Sequence, residues 1–299
     1  AAQVELQMIA VRRNQRRGET NILIAARPVK RRNQNDLLTG LALRAVEARR
    51  RLGLPENIRD AVIADAIARA KIRVRVDRQL RPAIDMFIDQ WNARRWMFIG
   101  NDYEWPWVTH GLARTYVQQS GGVVVSDIYV PFGAEDFADI LQRIEDTKPD
   151  AVLLSLVGQD AIDFNRAFGQ AGLGHSILRL SSAVEENILL AIGAGNADNL
   201  FVSSGYFGAS TDDANMSFKE RYHQRFGQRA PTLNSLGQSN YEGIHFAAAL
   251  ALRALERGNT KPVEYNGVRG IHWTSNSSAN YPIHLARAEG HQFRVVKSF

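Results

Sequence analysis

Arg95-Trp-Met-Phe-Ile-Gly-Asn-Asp-Tyr-Glu-Trp-Pro-Trp107 is the stretch on which the reading of this chain turns. Trp96 to Ile99 are continuously apolar, as a buried strand requires. Gly100 lets the backbone turn, and Asp102, Tyr103, Trp105 and Trp107 crowd the residues that follow. Pro106 suits a helix entrance, where its missing N–H costs nothing. Aromatics placed just past a strand end suit a small-molecule pocket, because open α/β sheets bind ligands beyond the carboxyl ends of their strands. Packing of the same rings on a neighbouring helix is the competing explanation.

Working outward, Ile84, Phe87, Ile88 and Trp91 recur at helical spacing and predict a helix over Pro82–Trp91. A second helix is expected over Val108–Gln119, stopped by Gly121-Gly122, and a strand over Val123–Val130, ended by Pro131. Ala134–Thr147 reads as an amphipathic helix through Phe137, Ile140, Leu141 and Ile144. Ala151–Val157, apolar but for Ser155, reads as a strand of the kind found in parallel sheets. Helix Ala161–Gln170, strand Ile177–Leu180, helix Val184–Ile192 and strand Leu200–Ser203 continue the alternation. Strict β-α-β order with short connections implies a doubly wound parallel sheet with right-handed crossovers. Two longer helices are expected near Asn215–Phe226 and Gly237–Glu256, with Asp212-Asp213 where negative charge favours a helix start. Ile271–Thr274, Ile283–Ala286 and Phe293–Val296 then read as short strands of a small antiparallel addition.

Composition narrows the function. At 299 residues the chain most naturally makes two lobes. Its densest apolar run, Phe246–Leu252, is stopped by Arg253 and falls short of the ~18 residues that a membrane span needs. The chain opens on Ala1-Ala2-Gln3 without a methionine and shows no signal-peptide pattern, as expected of a processed or trimmed end. Zero cysteines exclude disulfides, thiolate nucleophiles and cysteine metal sites. Residues 1–82 hold 19 Lys/Arg against 8 Asp/Glu, whereas the remainder holds 18 against 23. Arg12-Arg13, Arg16-Arg17, Lys30-Arg31-Arg32 and Arg49-Arg50-Arg51 suit an acidic partner or, more simply, a solvated basic face. No aromatic residue lies among them, so single strands find no stacking platform, and nucleic acid is not the expected partner. Enzyme motifs are missing too: there is no Gly-x-Ser-x-Gly, phosphate-binding Gly-x-x-x-x-Gly-Lys or His-Glu-x-x-His. His272, His284 and His291 fit no zinc spacing, and no metal or cofactor is expected.

Phe98-Ile-Gly-Asn-Asp-Tyr-Glu-Trp-Pro106, Gly121-Gly-x-Val-x-x-x-x-Tyr-Val-Pro131, Asp136-Phe137, Lys148-Pro-Asp-Ala-Val152, Gly172-Leu173, Ser182-Ala-Val-Glu-Glu186 and Tyr206-Phe207 occur in an order with consistent spacing. From about Gln79 to Phe299 this series resembles the type I periplasmic binding proteins of the branched-chain amino-acid, amide and urea branch, and amide-sensing regulators close to them. The resemblance implies two Rossmann-like lobes joined by a hinge. Lobe I would comprise residues 1–90 and 208–266, and lobe II residues 91–207 and 267–299. Asp36–Leu52 resembles the first lobe I helix and Ile58–Ala66 the next strand. The N-terminal part is otherwise atypical. The family's Ser/Thr-rich ligand loop is not found, and residues 40–80 contain neither residue type, so no lobe I contact is carried over.

The resemblance implies ligand contacts on lobe II. Tyr103 matches an aromatic wall residue and Trp105 a position that is often aromatic. Asp102 offers an acceptor for ligand N–H groups, or caps the helix that follows. Val157-Gly158 ends a strand where a glycine lets a ligand approach the backbone. Glu185 holds a ligand amine, or sits at the N-terminus of its own helix. Tyr206 and Phe207 floor the cleft, or pack in the core. The family's activity is non-catalytic capture of a small polar solute (a short-chain amide, urea or branched-chain amino acid) for an ABC permease of the inner membrane. That implies a periplasmic or extracytoplasmic location; a cytoplasmic amide sensor of the same fold, a nucleic-acid-associated role for the basic segment and a homodimer are the alternatives.

Overall fold

The computed structural model describes residues 6–13, 20–26, 76–227, 229–255, 263–273 and 282–299. The helix and strand expected in Asp36–Leu52 and Ile58–Ala66 lie outside the described residues, as do all the basic runs except Arg12-Arg13. The chain forms two compact units, Ala1–Ala70 and Lys71–Phe299. Within the first, strands β1 (Leu6–Arg13) and β2 (Thr20–Ala26) pair antiparallel, Leu6 opposite Ala26 and Arg13 opposite Thr20, with an irregularity between Met8 and Val11.

The second unit is built on a seven-stranded sheet. Its strands are β3 (Arg95–Asn101), β4 (Val123–Val130), β5 (Ala151–Ser155), β6 (Leu178–Ser181), β7 (Leu200–Ser204), β10 (His284–Glu289) and β11 (Gln292–Ser298). They stand in the order β11-β10-β7-β6-β5-β3-β4. β4, β3, β5, β6 and β7 run parallel, and the expected antiparallel addition is the β10–β11 hairpin laid against the free edge of β7. A separate ribbon joins β8 (Glu264–Gly267) to β9 (Gly270–Trp273). Among the described residues no helix is long and apolar enough to cross a membrane.

The apolar run in β3 is continuous because both faces of the strand are covered, as parallel sheets demand. Successive side chains point to opposite faces. Trp96 and Phe98 therefore join Leu80, Ile84 and Phe87 of helix α1 (76–91) with Leu112 and Val117 of α2 (Glu104–Gln119). Met97 and Ile99 join Ile140 and Ile144 of α3 (Ala138–Thr147) with Phe164 and Phe168 of α4 (Gly158–Gln170). A third cluster packs Leu189 and Ile192 of α5 (Glu186–Ile192) on Leu200, Val202 and Phe293. Each fully buried side chain of this size contributes about 1.5–3 kcal/mol.

Several boundaries differ from the sequence expectation, for local reasons. Helix α2 begins at Glu104, not Val108, because Pro106 falls within the first turn, where no intrahelical N–H partner is lost. Helix α1 begins before Pro82 and packs on the sheet expected for residues 91–207. α3 starts at Ala138, after Asp136 accepts a hydrogen bond from its backbone N–H. Asp212 does cap α6 (Asp213–Phe226), accepting from Asn215 N at 2.9 Å. The last long helix, α7, spans Ser235–Leu255.

Candidate functional site

The strand order reverses at β3, which has β4 on one side and β5 on the other. Chain connections leaving β3 and β5 turn to opposite faces there and open a crevice beyond the strand ends. Of the residues singled out from the sequence, Asp102, Tyr103 and Trp105 lie on the β3–α2 connection and the first turn of α2, and Val157 and Gly158 on the β5–α4 connection and the start of α4.

Tyr103 and Trp105 are half-buried, with ring centroids 6.2 Å apart. Burial raises the Tyr103 hydroxyl above the usual phenol range, so it stays a protonated donor at neutral pH. A third ring, Phe132 from the loop after β4, sits 5.1 Å from Tyr103 and is 60% exposed. Sequence reading missed it, since Pro131 marked only the end of a strand. Gly158 is exposed, has φ of +58°, and a Cβ there would meet nothing within 4 Å, so bare backbone faces open space.

Asp102 does not cap α2. Tyr103 stands at the N-cap, without a side-chain cap bond, and the Asp102 carboxylate accepts from Trp107 Nε1 at 2.9 Å. Both residues are exposed. Beneath the rings, Asn101 and Asp160 are buried and bonded at 2.6 Å. Neither was singled out from the sequence; an asparagine following an apolar strand and Gly100 was the only local trace.

Glu185 occupies the N-cap position of α5 but makes no cap bond there; its carboxylate accepts from Leu236 N in the first turn of α7 at 2.8 Å. Burial raises its pKa, and the Leu236 bond opposes that rise. Next to it, buried Glu186 accepts from Gly208 N at 2.6 Å, and desolvation pushes its carboxyl up to about 7. These consecutive acids thus grip two segments that leave the sheet after β7. Tyr206 and Phe207 are buried, at 4% and 3% exposure. Tyr206 donates its hydroxyl to Asn215 Oδ1 at 2.8 Å, whereas Phe207 packs on Phe293 in the third core cluster. The structure therefore brings Tyr103 and Trp105 together beyond β3, places Gly158 beyond the neighbouring strand β5, and sets Glu185, Tyr206 and Phe207 around the exit of β7.

Comparison with known proteins agrees with this architecture. The family model described as periplasmic binding protein matches residues 74–291. A Leu/Ile/Val-binding protein homologue from Brucella melitensis is 28% identical over 162 residues, covering 52% of this chain and 40% of that protein. An ABC transporter substrate-binding protein from Sphaerobacter thermophilus superposes with a TM-score of 0.65 at 27% identity, over 75% of this chain and 64% of the other. A leucine binding protein from Thermotoga maritima shares the fold at 16% identity, TM-score 0.60, over 74% of this chain and 65% of its own. The chain thus spans less than two thirds of the length of these relatives. The family and its structural neighbours are binding proteins, not enzymes. A parallel sheet reversing at β3, a hairpin returning to its edge and a family match over most of the chain lead to one conclusion: the chain belongs to the periplasmic binding protein family and has its type I fold.

Proposed function

We propose that this chain is the solute-binding component of an ABC-type uptake system, acting outside the cytoplasm and delivering a small polar solute to an inner-membrane permease. The observation that carries the proposal is the group of rings formed by half-buried Tyr103 and Trp105 with exposed Phe132, together with the open backbone of Gly158 at the neighbouring strand end, at the reversal of strand order. A solute with an apolar body and amide or amine groups suits it. The rings cover the body, while the Tyr103 hydroxyl and the free Gly158 backbone serve polar atoms whose burial unpaired costs a few kcal/mol. A short-chain amide, urea or a branched-chain amino acid is the class proposed.

Capture would proceed by hinge closure between lobe I (1–90 and 208–266) and lobe II (91–207 and 267–299), with helix α1 riding on lobe II. In that division the Glu185–Leu236 bond crosses from one lobe to the other. Calorimetry with L-leucine, acetamide and urea tests the assignment. For whichever of the three binds, Tyr103→Ala with Trp105→Ala is expected to weaken affinity by about tenfold or more, since buried aromatic contacts dominate such interfaces. Unchanged affinity in the double variant would remove these residues from the site.

A further inference from the structure

We propose that Asn101 and Asp160 form a positioning pair that holds three strand-end loops together as one preformed ligand wall; this deepens the solute-binding assignment and rests on it. Asn101 is the last residue of β3 and Asp160 lies in the first turn of α4. Their exposures are 0% and 4%. Asn101 Nδ2 donates to Asp160 Oδ2 at 2.6 Å, and Asn101 Oδ1 accepts from Val157 N at 2.9 Å. Asp160 accepts in addition from Gly133 N, at 3.0 Å to Oδ1 and 3.3 Å to Oδ2. The amide orientation follows from these partners, since the Val157 N–H needs an acceptor and the carboxylate needs a donor.

An acid in the first turn of a helix has an ordinary explanation in the helix dipole. Here the carboxylate accepts from Asn101 and Gly133, both outside α4, and α4 carries no side-chain cap. Burying a carboxylate and an amide is costly unless every bond is made, so an apolar pair would fill this space at lower cost. What an apolar pair lacks is direction. Each bond ends beside a residue of the wall: Asn101 precedes Asp102-Tyr103, Gly133 follows Phe132, and Val157 precedes Gly158. The pair therefore sets the spacing of Tyr103, Phe132 and Gly158 before any ligand arrives, and preorganisation of this kind lowers the ordering cost of binding.

The test uses the whole chain with Asn101→Asp, Asp160→Asn and the two combined. Asn101→Asp alone sets two carboxylates against each other, and Asp160→Asn alone turns an NH2 towards a donor. In the combined variant the carboxylate at 101 accepts from Val157 N and from the amide at 160, whose oxygen accepts from Gly133 N, so the network is whole again. Two readouts are needed: amide hydrogen exchange over 131–135 and 156–159, and calorimetric affinity for L-leucine, acetamide or urea. Each single variant is expected to speed exchange about tenfold in both segments, including the loop its residue does not touch, and to weaken affinity about tenfold. The combined variant is expected to recover both to within about threefold. Exchange confined to the touched loop, a combined variant no better than the singles, or loosened loops with unchanged affinity would each overturn the pair. Should a single variant fail to fold, refolding in the combined variant supports the pair and failure of all three refutes it. Should the unaltered chain bind none of the probes, the solute assignment fails, and the exchange pattern alone decides for or against the pairing.

Discussion

Arg179→Met is expected to destabilise the Lys71–Phe299 unit by about 3 kcal/mol or more, seen as an earlier urea midpoint in tryptophan fluorescence. Arg179 sits in β6 with 0% exposure and its guanidinium 4.5 Å over the Phe168 ring. Nη1 donates to Asn165 Oδ1 at 2.7 Å, and Nη2 to the carbonyls of Asn196 and Asp198 at 2.9 and 2.7 Å. Burial pulls its pKa down to about 10, opposed by Asp198, which leaves it a cation at neutral pH. Replacing a buried ion pair by apolar residues is often neutral. This case differs, because the acceptors are neutral oxygens, and methionine would leave one buried and two part-buried ones without this donor. Asn196 and Asp198 precede β7, at the end of the sheet opposite the ligand wall, so ligand affinity of the folded variant should be unchanged. A midpoint shift equivalent to less than about 1 kcal/mol would show that these carbonyls find other donors.

Glu186→Gln is expected to stabilise the protein increasingly as pH rises from about 4.5 to 7, and by about 2–3 kcal/mol above that range. The folded Glu186 carboxyl keeps its proton up to about 7, while the unfolded chain loses it near the ordinary value of 4.5. Between those values the native state binds more protons than the unfolded one, so stability falls as pH rises. Glutamine does not titrate and still offers an oxygen to Gly208 N, which donates to Glu186 Oε1 in the unaltered protein. The carboxyls of Asp127, Asp212 and Glu242, all held below their usual range, work in the opposite sense but are common to both proteins and cancel in the difference. Thermal unfolding of both proteins at pH 5 and pH 8 reads the effect, and parallel pH profiles would show that Glu186 titrates normally.

The parallel sheet was legible because its central strands are buried on both faces, which writes Trp96–Ile99 and Ala151–Leu154 as unbroken apolar runs. Asp212 was legible at a helix start from its charge, and its capping bond is local, reaching only three residues along the chain. Asp102 and Glu185 were placed correctly near helix starts, yet their partners, Trp107 and Leu236, depend on packing that no helix-start pattern encodes. Asn101 and Asp160 illustrate the limit most clearly. They are 59 positions apart, and only the register of β3 beside β5 brings them together. Phe132 became a wall residue for the same reason, through the β3–β4 register that brings its loop beside Tyr103.

The hairpin of β10 and β11 against β7 sets an order on biosynthesis. Translation completes β7 at Ser204, but the strand that covers its free edge begins only at His284. While α6, α7 and the β8–β9 ribbon are being made, the edge of β7 stays open to any other extended chain. Closing so long a loop is slow, because its entropy is lost before the ladder forms. A nascent chain of this topology therefore keeps its sheet unfinished until late, a state that a holding chaperone can bind and that a channel for unfolded polypeptide can accept.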